Sequence, residues 1–252
     1  MVEFAIYEIV LFIFLLIYLG VMLVLSILFL RKYFEFKLIE FFHLGVFILI
    51  FAITITLQWI ISFIVLALME LTIDPTLLYA VQGGSTVALI FWLLGLDKIL
   101  LSGKTYRKVF LFVLIVAVVV VALIYYIALF IDYTLIGTLD PKGWTPLTWT
   151  PLASICFSAW YLIFFITFLL FTIQAITSNE KTTQIKGKIL LIASILIGIS
   201  IISIFFLGFF DGVVYWIFTF TFVHVFRIAA FITFYIGFTL PNFIKKILLK
   251  DK

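Results

Sequence analysis

Seven long apolar stretches, separated by short polar segments, constrain this chain more than any other feature. A helix that crosses the hydrocarbon core of a bilayer needs about 20 mainly apolar residues, and each stretch reaches that length. Only 11% of the residues are charged and 67% are hydrophobic, so a water-soluble fold could not cover the apolar surface. A helix also pairs its backbone polar groups internally, as lipid requires. The pattern predicts an all-α integral membrane protein built as a seven-transmembrane-helix bundle.

The chain is predicted to form a single membrane domain over residues 1–252, and its last residues, 241–252, form a short basic tail. Their approximate bounds are 7–30, 38–68, 76–101, 109–131, 152–176, 188–210 and 213–240. All five prolines lie in loops or at helix ends, which predicts straight, unbroken helices. The tail is interpreted either as a helix lying on the inner leaflet or as a frayed end.

Basic residues fall almost entirely on one side of the predicted bundle. Of the 16 Lys and Arg, fourteen lie in or beside the loops joining helices 1–2, 3–4 and 5–6 and in the tail, while Lys142 lies in an outer loop and Arg227 within helix 7. By the positive-inside rule the N-terminus is outside and the C-terminus cytoplasmic. We therefore expect a multi-pass protein of the cell membrane, with the lipid bilayer as a partner. No basic stripe follows a soluble face, so no nucleic-acid partner is expected.

Polar residues in helices 2, 3 and 7 indicate which faces turn inward, because polar side chains in membrane helices usually face the bundle. Helix 4 carries only two polar residues, Tyr125 and Tyr126, at its outer end and is expected at the periphery. Two tryptophans of the outer loop are interpreted as part of an interfacial aromatic belt, with a lid over an outer pocket as the alternative. The candidate ligand-binding residues are Arg227, His224, Thr221, Gln58, Gln82, Thr86, Trp144 and Trp149.

Arg227 is the most informative of these residues. It lies about 20 Å from the cytoplasmic end of helix 7 at the rise of an α-helix, where a charge costs about 3 kcal/mol on insertion scales. No carboxylate is predicted at the same depth. Arg227 therefore either binds an anionic or carbonyl group of a ligand or gates a water-filled track, or it is a structural residue bonded to backbone carbonyls or to Thr or Tyr hydroxyls.

Several kinds of chemistry find little support in the sequence. His43 and His224 differ in predicted depth by about 16 Å, so they cannot share a haem or a metal ion, and no metal site or cofactor is expected. We find no Ser–His–Asp set at matching depth and no paired carboxylates within the helices. The chain is therefore not expected to be an enzyme. Asp97 and Lys98 are interpreted either as a conformational switch or as a solvated interfacial pair.

The predicted layout resembles that of G-protein-coupled receptors and microbial rhodopsins, in architecture and without a shared motif. Rhodopsins hold retinal through a lysine of the last helix, whereas helix 7 here contains His224 and Arg227 and no lysine. The leading hypothesis is a receptor-like or sensor-like protein that binds a small apolar or lipid-like ligand and signals through a separate protein at its cytoplasmic loops. The alternatives are a transporter of small solutes, ions or protons, and a non-catalytic subunit of a membrane complex.

Overall fold

A computed structural model describes residues 3–100, 107–206 and 217–241, with the side chains of 98–100, 107, 147 and 204–206 left out. Seven of its helices are long and apolar enough to cross a membrane. The chain is thus a mainly α-helical, multi-pass membrane protein whose helices suit contact with the lipid bilayer. Of the predicted tail at 241–252, residues 242–252 lie outside the described part of the chain.

The helices follow one another with short connections and one small hairpin. Their bounds are α1 Ile6–Phe36, α2 Ile39–Met69, α3 Pro75–Gly83 continued by Ser85–Leu100, α4 Arg107–Ile131, α5 Pro151–Ile176, α6 Lys181–Phe206 and α7 Thr219–Thr239. Between α4 and α5, a 3-10 turn at Tyr133–Leu135 leads into antiparallel strands β1 (Gly137–Leu139) and β2 (Pro146–Trp149).

Residues 1–163 and 164–252 form two compact units. In the first unit α2 packs against α1 and α3, with a core that contains the fully buried side chains of Met22, Phe29 and Trp92. Only 11% of the residues in the apolar 18-residue stretch of α4 are buried, which agrees with its predicted place at the periphery. In the second unit α6 packs against α7, where a Cβ on Gly237 would lie 2.6 Å from Leu190 Cγ. The backbones of α6 and α7 therefore approach closely.

Two helices extend beyond their predicted bounds. We predicted that helix 1 ends near residue 30, but α1 continues to Phe36. Glu35 bonds Arg31 at 3.0 Å and Lys32 at 2.9 Å, which supports the last turns, and Lys37 ends the helix with a φ of 57°. Helix 6 was predicted from residue 188 and begins at Lys181. Charged turns extend a helix past the hydrocarbon, so apolar length underestimates the helix.

The prediction of straight, unbroken helices is wrong for three of the seven. Backbone bonding in α2 changes to the π-helical pattern over Ile53–Leu57, and in α7 over Thr219–Val225. The third helix is interrupted at Gly84, between its two segments. The prediction relied on the absence of proline, but π-turns and glycine pairs distort helices without it.

Candidate functional site

The π-helical segment of α2 lies against the interruption in α3. A Cβ on Gly84 would lie 3.0 Å from Thr54 Cγ2, so the two irregular segments are in close contact. The Thr54 hydroxyl donates to the Ile50 carbonyl at 2.8 Å, and Gln58 Nε2 donates to the Thr54 carbonyl at 2.5 Å. Side chains thus satisfy carbonyls in the segment where the backbone bonding pattern changes.

Tyr126 on α4 compensates for the interruption in α3. The Gly84 amide donates to Val81 at 3.0 Å rather than to the carbonyl four residues back. That carbonyl, on Ala80, accepts instead from the Tyr126 hydroxyl at 2.9 Å. Within the first unit, α4 therefore stabilises the break from outside α3.

Gly83, which has no side chain, allows two tyrosines of α4 to approach the backbone of α3 closely. An added Cβ would lie 2.7 Å from Tyr125 Cε1 and 2.9 Å from the Tyr126 hydroxyl oxygen. Tyr125 is fully buried and donates to the Tyr79 carbonyl at 3.0 Å. Tyr125 and Tyr126 are therefore structural contacts between α4 and α3. Thr86, also buried, donates to the Gly83 carbonyl at 2.8 Å and completes the junction.

Several buried polar atoms of the first unit have no hydrogen-bond partner among the described residues. Gln58 is 5% exposed and Gln82 is 9% exposed, yet neither Oε1 atom accepts a bond. Four further atoms also lack a partner among the described residues, namely Tyr79 Oη, Ser62 Oγ, Thr56 Oγ1 and the donor Trp160 Nε1. A buried polar group left without a partner costs about 1–3 kcal/mol. Such groups are rare in folded proteins, and those that occur call for an explanation.

The two glutamines lie on one stretch of the α2–α3 interface. The Thr54–Gly84 contact bounds this stretch at one end, and the Trp59 and Tyr79 rings, with centroids 6.3 Å apart, bound it at the other. Five residues of helix separate the two levels, which is about 7.5 Å. Gln58 and Gln82 fall between them along α2 and α3. The predicted grouping of Gln58, Gln82 and Thr86 thus coincides with the irregular part of both helices.

Trp149 of the hairpin contacts the outer end of this stretch. Its ring lies 5.5 Å from that of Tyr79 and 5.0 Å from that of Phe157 on α5. A Cβ on Gly137, its partner in the hairpin, would come within 3.2 Å of Tyr79 Oη. Trp149 therefore packs against both α3 and α5.

Trp144 is also held inward, by a contact that the sequence analysis missed. It is fully buried, packs edge-on against Phe63 of α2 at 4.9 Å, and its Nε1 lies 3.4 Å from Glu8 Oε1. Glu8 is 5% exposed and pairs with Lys142 Nζ at 2.6 Å, while its Oε2 also accepts from the Ala5 amide. We call Glu8, Lys142 and Trp144 the latch.

One sequence signal pointed toward the latch. Lys142 is the single basic residue in the predicted outer segments, among several carboxylates. Asp140 shapes the turn that carries Lys142, because its Oδ1 accepts from the amides of Trp144 at 2.8 Å and Thr145 at 3.0 Å. Gly143 provides the positive φ of 76° that this turn requires. The turn therefore presents Lys142 and Trp144 to the start of α1.

In the second unit, Arg227 is half-buried and its Nε donates to Ser200 Oγ at 3.3 Å. Ser200 is buried and donates in turn to the Val223 carbonyl, within the π-helical segment of α7, at 3.0 Å. Across the described residues Arg227 forms no ion pair. The bond goes to a serine hydroxyl, whereas the structural interpretation of Arg227 named backbone carbonyls and Thr or Tyr hydroxyls.

The other predicted residues fall as follows. His224 is half-buried and Thr221 is exposed, although their spacing of three and six residues from Arg227 would group both with it on one face of a regular α-helix. That grouping assumed 100° per residue, which does not hold across a π-helical segment. Asp97 is half-buried near the end of α3, and the side chain of Lys98 lies outside the described residues. In the part of the chain that is described, no three His, Cys, Asp or Glu side chains cluster as metal ligands.

Comparison of the chain with protein-family models, with curated proteins and with solved structures finds no match.

Proposed function

We propose that this chain is a receptor-like or sensor-like membrane protein that binds a small molecule in the outer half of its first unit. The observation that carries the proposal is the set of buried, unpartnered polar atoms around Gln58 and Gln82, next to two irregular helices. A ligand that supplied hydrogen bonds would offset the cost of burying them. Trp149 then acts as part of a lid over the ligand.

The proposal includes an orientation in the cell membrane. Charge asymmetry supports an outer N-terminus and a cytoplasmic C-terminus, so the ligand comes from outside and the basic loops contact a separate signalling protein. Cys156 is the only cysteine in the chain and is buried. A Cys156→Ala background with a single cysteine at Glu3 or at Glu180 tests the orientation. An impermeant maleimide should label intact cells at Glu3 only, and labelling at Glu180 only would reverse the assignment.

The decisive experiment is native mass spectrometry of protein extracted gently from its own membrane. We expect a retained small molecule of defined mass, which is lost in the Gln82→Leu variant but kept in a Gln174→Leu control, because Gln174 is exposed on α5. A bare wild-type chain, or retention that is the same in both variants, would contradict the proposed site. A retained protein instead of a small molecule would favour the alternative in which the chain is a non-catalytic subunit of a membrane complex.

A transporter is the second candidate, and the irregular helices favour it. Interrupted spanning helices commonly form substrate and ion sites in transporters, and α2, α3 and α7 are all irregular at their polar residues. Purified protein in liposomes tests this directly. Solute or proton flux that Arg227→Leu and Gln82→Leu abolish would support transport, and its absence across a panel of substrates and pH gradients would exclude it. Neither function requires the chain to be an enzyme.

A further inference from the structure

We infer that the site between α2 and α3 selects a neutral molecule that joins a hydrogen-bond-donating head, a primary amide, to a flat apolar body. This inference rests on the proposed ligand-binding function and narrows it to one chemical class. Three independent features of the site lead to it: the kind of polar atoms left over, the absence of charge around them, and the aromatic rings beside them.

The leftover atoms define the head group. Gln58 already uses its Nε2 on the Thr54 carbonyl, which leaves Oε1 as an acceptor. Gln82 Oε1 is a second buried acceptor without a partner in the described part of the chain. Two carbonyl oxygens on facing helices require donors, and a primary amide provides two N–H donors on one atom. The Tyr79 hydroxyl can either donate to the ligand or accept from it.

The surroundings exclude a charged head. Residues 41–69 of α2 and 75–96 of α3 contain no Asp, Glu, Lys or Arg. The nearby charges of the hairpin are committed elsewhere, since Lys142 pairs with Glu8 and Asp140 accepts amides of its own turn. A buried carboxylate or ammonium would therefore lack a counter-charge here, and its desolvation would oppose binding. A neutral donor carries no such penalty.

The aromatic rings define the body of the ligand. Trp59, Tyr79 and Trp149 form a continuous series of ring contacts at the outer end of the site, at 6.3 Å and 5.5 Å. Such rings favour a flat apolar group in stacked or edge-on contact. A purely apolar molecule would fit the rings but leave both glutamine oxygens without donors. The two requirements together favour an amphipathic, uncharged ligand.

The test uses four probes of matched shape: 3-phenylpropionamide, 3-phenylpropionate, 3-phenylpropylammonium and propylbenzene. Binding to the full chain in nanodiscs is followed by tryptophan fluorescence, and the Gln82→Leu signal is subtracted to remove partitioning into lipid. We expect saturable binding of the amide with a Kd on the order of 1 mM for a fragment of this size. The other three probes should bind at least tenfold more weakly. Equal or tighter binding of any of them would overturn the class while leaving the ligand-binding function intact, and no binding of the amide up to 10 mM would also overturn it.

A thermal measurement tests the same inference without a ligand. Replacing an unpartnered buried acceptor by an apolar group of similar size relieves its desolvation, so Gln82→Leu should raise the Tm of the ligand-free chain by about 2–4 °C. The exposed Gln174→Leu control should leave the Tm unchanged. A lower Tm for Gln82→Leu would mean that the folded chain itself donates a hydrogen bond to Gln82 Oε1. That result would refute the inferred class of ligand. The retained-ligand experiment would still judge the proposed function, because it uses the wild-type chain.

Discussion

Replacing Lys142 by Met would leave the Glu8 carboxylate buried without its cation. At an effective dielectric constant of about 20, charges 2.6 Å apart attract by about 6 kcal/mol. Desolvation of the two ions opposes this by several kcal/mol, and the Lys142 side chain is 31% exposed, which weakens the pair further. The Ala5 amide still donates to Glu8 in the variant. We therefore expect the free energy of unfolding to fall by about 1–3 kcal/mol.

A double-mutant cycle separates the pair from the other effects of each substitution. Glu8→Gln, Lys142→Met and the double variant are unfolded in detergent micelles, and the coupling energy between the two sites should be about 1–3 kcal/mol. The exposed pair Arg31–Glu35, with side chains 73% and 36% exposed, is the matched control. Its coupling should be only about 0.3–0.5 kcal/mol. A latch coupling no larger than that of the control would refute the reasoning.

Three further predictions concern single positions. Gly83→Ala should lower the free energy of unfolding by about 1–3 kcal/mol, because the added Cβ would lie 2.7 Å from Tyr125 Cε1. Gly20→Ala, where a Cβ meets no described atom within 4 Å, should leave the free energy of unfolding unchanged or raise it in the same thermal unfolding measurement. Equal effects of the two substitutions would contradict the close packing at Gly83. Ser200→Ala should lower the free energy of unfolding by about 1 kcal/mol, because it removes the hydrogen bond to the Val223 carbonyl. An unchanged unfolding temperature would contradict this prediction. The Thr134 amide lowers the pKa of Asp132, so Asp132 contributes stability above its unfolded pKa that is lost as pH falls through its folded pKa. Asp132→Asn should flatten the stability profile below about pH 4, and an unchanged acid slope would refute the role.

Much of the architecture could be predicted because lipid imposes simple requirements. Each spanning helix must be long, apolar and internally bonded, so apolar length alone indicated the helices. The inward faces of α2 and α3 followed from the same reasoning, since Gln58, Gln82 and Thr86 are indeed buried. The helix bounds were less accurate at α1 and α6, where charged turns continue beyond the apolar stretch.

The π-helical segments of α2 and α7 could not be predicted, because no local residue signal requires them. The break at Gly84 depends on a hydroxyl from Tyr126, which lies on another helix. The pairing of Glu8 with Lys142 joins residues 134 positions apart in the chain, and only folding brings them together. Sequence by itself therefore determined the class of protein, the number of helices and most candidate residues, because these depend on composition and period. Which buried polar atoms lack partners among the described residues, and which aromatic rings lie near them, was decided by tertiary packing alone. Hydrogen bonds and ring contacts between helices depend on distances that no sequence period encodes.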